Sequence, residues 1–170
     1  MIKRLGSPLP RMFMAMFVLW AAGNLNAAAA DQLAEDVIKV VYHADFADPR
    51  RFSAMLANIH NMVSTYQSEL KEYDVRIVFV SYGIRFVTQD KLAGTPFAED
   101  AALKQRRAEL LARLATLRDT EGVKLELCDI TREAVHLPRE KIIPKVTLVP
   151  SGVVRIAELQ HQGFAYLKVE

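Results

Sequence analysis

Only one of the 170 residues is a cysteine, Cys128. A lone cysteine excludes an internal disulfide. With just four scattered histidines, it also excludes the paired ligand spacings of a structural zinc site. Glycine is sparse, at seven residues. No glycine-rich phosphate loop and no Gly-x-Ser-x-Gly elbow occurs, so nucleotide-binding and serine-hydrolase fingerprints are missing and no cofactor is expected. The apolar run over residues 12–22 is too short for a comfortable transmembrane span and lacks a basic stop-transfer flank.

That short run is better placed in an export signal. Lys3, Arg4 and Arg11 form a basic region with no acidic residue. The apolar stretch follows, and the small residues of 25–30 provide a cleavage site before Asp31. Residues 1–30 are therefore expected to be a cleavable secretory signal, with 31–170 as one domain and a periplasmic or otherwise exported destination. A retained anchor is the alternative; with cleavage, no stable membrane insertion remains. Subtracting the three leader cations from 22 Lys+Arg leaves 19 against 20 Asp+Glu, a net charge of −1. The sequence pI of 8.7 thus belongs largely to the leader, and a nucleic-acid partner has no electrostatic footing.

Strand and helix patterns alternate through the rest. The β-branched run at 37–42 predicts a strand ending at His43-Ala-Asp45. Asp48-Pro49 predicts the cap and first turn of a helix. Phe52, Met55, Leu56, Ile59, Val63 and Tyr66 form its apolar stripe. Residues 75–80 read as a strand buried on both faces, ending at Ser81-Tyr82-Gly83. A loop fills 89–100. A second helix over about 101–119 has the seam Leu103, Leu110, Leu111, Leu114 and Leu117, with its charges read as a solvated face.

Beyond Gly122, strands are predicted at 123–128, 144–149 and 164–169. Helical turns are expected over 129–137, and a helix capped by Ser151 precedes the last strand. The alternation predicts an α/β fold, a mostly parallel sheet of about five strands with helices on both faces.

Parallel sheets collect reactive groups at the C-terminal ends of their strands. His43 and Asp45, Gly83, Cys128, and Ser151 with Gly152 fall at such ends. Cys128 precedes a helix start, where the dipole favours a thiolate if the sulfur is accessible, although Asp129 opposes this. The plain alternative is an inert buried thiol. His43 reads as a base or a structural rim residue, and His60 as a packing or subunit contact. His136 lies too far from Cys128 in sequence for a confident pair, and His161 suits a helix C-terminus.

Several stretches resemble exported members of the DsrE/DsrF-like family. They are Val40-Val-Tyr-His43, Leu56-Ala-Asn-Ile-His-Asn61, Tyr82-Gly83-Ile84, Gly122-Val-Lys-Leu-Glu-Leu-Cys128, and Val149-Pro-Ser-Gly-Val-Val154 through Gly163-Phe-Ala-Tyr166. The resemblance spans the mature chain. It implies a three-layer α/β/α domain that assembles into homo-oligomers, commonly trimers or hexamers. It also implies a cysteine, here Cys128, that carries sulfur as a persulfide between a donor and an acceptor, whether protein or small sulfur compound.

Exported members often read Cys-x-Asn-Thr; this chain has Cys128-Asp-Ile-Thr131, so Thr131 matches and the asparagine does not. On this reading the protein is at most a sulfur-transferase-like carrier, with Thr131, Ser151 and Gly152 as polar contacts. The competing reading is a non-catalytic oligomeric protein that binds a ligand or partner and uses Cys128 structurally. A small hydrolase using His43 and Asp45 is the third.

Overall fold

The structure, a computed structural model, describes residues 37–170. The expected leader at 1–30 lies outside the described residues. Five strands, β1 (Ile38–Ala44), β2 (Tyr73–Phe79), β3 (Lys124–Cys128), β4 (Val146–Val149) and β5 (Ala165–Leu167), form one sheet in the order β4-β3-β2-β1-β5. Every pairing is parallel. Four α-helices connect them: α1 (Pro49–Ser68), α2 (Ala101–Asp119), α3 (Asp129–Ala134) and α4 (Gly152–His161). The expected α/β architecture is present, and among the described residues no helix is long and apolar enough to cross a membrane.

Local chemistry explains the boundaries. Asp48 caps α1 by accepting from the Arg50 amide at 2.7 Å, and Pro49 occupies the first turn. Asp100 caps α2 through the Leu103 amide at 2.8 Å. Gly122 follows α2 with a φ of +71°, a conformation that costs glycine little.

The strand alternation sorts the two cores. Val75, Ile77, Phe79, Leu125 and Leu127 face α1 and α2, where they meet Phe52, Met55, Ile59, Leu110 and Leu114. Phe52 stacks on Phe86 with centroids 4.0 Å apart. Each such buried side chain contributes about 1.5–3 kcal/mol. The opposite face carries Val41 and Val78 beneath Ile156 and Leu159 of α4, closed by Phe164. The chain moves outward from β1 to β4, and α4 then returns it across the other face to β5.

Some expectations need correction. Ser81–Phe86 forms a short 3-10 helix, and the helix after β3 starts at Asp129 as expected but ends at Ala134 instead of reaching Leu137. Leu111 is only half-buried. The α2 charges are not simply a solvated face. Arg107 bonds Glu99 at 2.6 Å and the carbonyls of Arg85 and Thr88 at 3.0 and 2.5 Å, tying the loop before the helix to the 3-10 segment.

Candidate functional site

β3 places Glu126 and Cys128 on the α4 face, because Leu125 and Leu127 take the other one. Cys128 is a free thiol, 3% exposed. It occupies the N-cap position of α3 with extended backbone angles. The first residue of α4, Gly152, lies directly against it: a Cβ at that position would stand 3.0 Å from the Cys128 Cβ and 2.5 Å from Val80 Cγ2. Cys128 therefore sits where the N-terminal ends of α3 and α4 converge, with a hydrogen-only residue as its cover. Of the accessible and the buried thiol that the sequence left open, this conformation has the buried one, because α4 folds down onto the sheet.

The other expected site residues form one group at Cys128 and one at the β1/β5 edge, with Gly83 in neither. Thr131, Ser151 and Gly152 are brought to Cys128. The Thr131 hydroxyl is nearly buried and accepts from the Ser81 amide at 3.0 Å, so it fastens α3 to the end of β2. Ser81 itself has a φ of +51°, an uncommon conformation for a non-glycine residue. Ser151 caps α4, its Oγ facing the Val154 amide at 3.5 Å. Gly83 stands apart as a packing glycine, since a Cβ there would fall 2.0 Å from the Ala44 carbonyl oxygen.

His43 and Asp45 form a second cluster, at the β1/β5 edge. The register places His43 beside Val78 and Val78 beside Glu126. Two strand spacings of about 4.8 Å thus separate the histidine from β3, and it is no partner for the thiol. His43 Nδ1 shares a hydrogen bond with the Tyr166 hydroxyl at 3.0 Å, and Nε2 is buried without a partner, 3.9 Å from Asp45 Oδ2. Burial lowers the His43 pKa, more than the neighbouring Asp45 raises it. Burial would raise that of Asp45, but the hydrogen bond from Lys168 at 2.9 Å and the charge of His43 hold the carboxyl below its ordinary value.

An ionic network with no motif signature lies on the same face of β3 as Cys128. Glu126, 4% exposed, accepts from Arg76 at 2.9 Å and from Arg155 of α4 at 2.6 and 3.0 Å. Burial opposes its ionisation, yet the two guanidinium groups overcome that and lower its pKa. Asp74 closes the network through Arg76 and Lys124. The period-2 pattern of β3 was the available signal, since it put Glu126 on the buried α4 face. Asp129, expected to oppose a thiolate, is paired with Arg132 and, at 3.3 Å, with Arg139. Around this end of the sheet Ile130, Val153 and Val154 are large exposed apolar side chains. Among the described residues, no group of three His, Cys, Asp or Glu is placed to hold a metal.

Comparison with known proteins bears on both fold and family. The family model described as "DsrE/DsrF-like family" matches residues 25–169. An uncharacterized protein of Aquifex aeolicus is 28% identical over 131 residues, covering 76% of this chain and 55% of that protein. The chain thus spans about half the length of the curated relative it matches. Among solved structures, the protein of unknown function MTH1491 from Methanobacterium thermoautotrophicum aligns with a TM-score of 0.57 at 22% identity. The alignment covers 77% of this chain and 98% of that one. This likeness shows the shared fold.

Proposed function

The chain belongs to the DsrE/DsrF-like family, and from that membership we propose that it is an exported sulfur-handling protein that carries persulfide sulfur on Cys128. The observation supporting this reading is the position of the thiol. It lies at the C-terminal end of a central strand, beneath the N-terminus of the ten-residue α4, with Gly152 as its cover. Helix N-termini stabilise negative charge, whether on a thiolate or on the terminal sulfur of a persulfide.

In the transfer step, the Cys128 thiolate attacks the outer sulfur of a donor persulfide, R–S–SH. A new S–S bond forms at Cys128, the donor S–S bond breaks, and the donor leaves as its thiolate, R–S⁻. No external oxidant or reductant is needed. Because Cys128 is buried, the step requires the α4 N-terminus to lift. Assembly into a homo-oligomer and delivery by the basic, apolar leader belong to the same proposal.

Burial of the thiol favours a second reading, in which Cys128 is a core residue of a non-catalytic binding protein. Alkylation rates of folded and denatured protein, with intact-mass analysis after exposure to glutathione persulfide, separate the two. Alkylation of the folded protein and gain of a single sulfur atom, lost in Cys128→Ser, support the carrier. A thiol that reacts only after denaturation and gains no sulfur overturns it.

A further inference from the structure

A cavity of about 280 Å³ lies between α1 and α2, remote from Cys128, at the small end of the range for ligand pockets. Its floor is apolar, formed by Leu56, Ala57 and Leu117. Glu121, in the turn after α2, forms part of the wall with its side chain 8% exposed. Its Oε1 faces His60 Nδ1 at 2.7 Å, while its Oε2 is buried with no hydrogen-bond partner. A carboxylate only accepts, so Nδ1 is the donor of this pair, and in the neutral imidazole Nε2 is then an acceptor.

An unpaired buried carboxylate oxygen is costly to maintain, and the cavity beside it is where a donor can enter. The terminal torsion of glutamate is soft, so a turn of the carboxylate presents Oε2 to that space. The C-terminal end of the 19-residue α2 adds negative potential there. Arg113 on the wall is turned to Ser53 Oγ at 2.6 Å, the Ser53 carbonyl at 2.9 Å and Glu109 at 3.1 Å, and that carboxylate balances part of its charge. Two side-chain donors are too few for a divalent ion, and a third His, Cys, Asp or Glu is lacking among the described residues.

We propose that the α1–α2 cavity binds a primary alkylammonium group, with Glu121 as its anionic acceptor, His60 Nε2 and the Asn61 side chain as further acceptors, and the apolar floor taking the alkyl chain. The ammonium brings three donors, and the floor selects an aliphatic amine over ammonia. The site is independent of the sulfur reading.

The test is an NMR titration of the full chain with n-butylammonium chloride. Saturable shifts at the amides of Ala57, His60 and Asn61 are expected, with affinity reduced at least tenfold in Glu121→Gln. Should that variant fail to fold, Ala57→Leu, which fills the floor and leaves the Glu121–His60 pair intact, decides by the same tenfold loss. Parallel titration with Nα-acetyl-lysine methylamide distinguishes the source. Its binding points to a lysine of another polypeptide, and its exclusion, with butylammonium bound, points to a free small amine; both support ammonium recognition. Absence of saturable shifts at millimolar amine, or wild-type affinity in the folded variants, overturns the proposal.

Discussion

Gly152 touches Cys128 across the interface between α4 and the sheet: a methyl group on Gly152 would lie 3.0 Å from the cysteine Cβ and 2.5 Å from Val80 Cγ2. Neither obstacle is the far end of a flexible side chain, so Gly152→Ala must push the N-terminus of α4 outward. We expect a loss of about 1–3 kcal/mol from overpacking, read from urea unfolding. Alkylation of Cys128 in the folded state should become faster. A stable variant with unchanged thiol reactivity would show that α4 is not the cover.

Gly83→Ala should be more damaging, because its obstacle is main chain. The new Cβ would fall 2.0 Å from the Ala44 carbonyl oxygen, which also accepts from the Val80 amide at 2.9 Å. Relief requires shifting the end of β1 or unwinding the 3-10 segment. A loss of about 3 kcal/mol or more is expected, measurable as a large fall in urea midpoint. A near-neutral substitution would mean that this turn is freer than its packing implies.

The contrast between these two glycines shows what was legible in the chain. Strand periodicity at 75–80 and 123–128, the Asp48-Pro49 start and the Ser151 cap carried the parallel sheet and its helices almost completely. The same reading placed Cys128 and Gly152 at strand ends. It could not show that α4 returns over β3 to seal the thiol, because that depends on a crossover between distant elements. It grouped Gly83 and His43 with the site because both end strands, whereas tertiary packing makes one a spacer and puts the other two strands away. The Glu121–His60 pair, 61 residues apart, has no local signature at all.

The Glu126 network should couple stability to the cover over the thiol. Glu126→Gln leaves Arg76 and Arg155 facing each other without their shared anion, and a loss of about 3–5 kcal/mol is expected. Arg155→Met removes the outer partner only and should cost less, about 1–2 kcal/mol. Since Arg155 lies one turn into α4, this milder variant should raise Cys128 alkylation while the fold persists. Equal reactivity in wild type and Arg155→Met would separate the network from thiol access.

The buried His43 makes its own pH-dependent contribution. Burial lowers its pKa in the folded protein, so the unfolded chain takes up the proton more readily. Its stabilisation is fully present above the unfolded value of about 6.5 and is lost as pH falls through the folded value. The carboxylates Asp45 and Glu126, also lowered, act in the same direction but only below about pH 4.5. The interval between about pH 7.5 and 5 therefore isolates histidine. Urea midpoints should decline across it in wild type and decline less in His43→Gln, the difference cancelling the contributions of His60, His136 and His161. Tyr166→Phe, which removes the hydroxyl at Nδ1, should cost about 1 kcal/mol at neutral pH. If His43→Gln retains the full acid slope, the imidazole is not the group whose burial sets it.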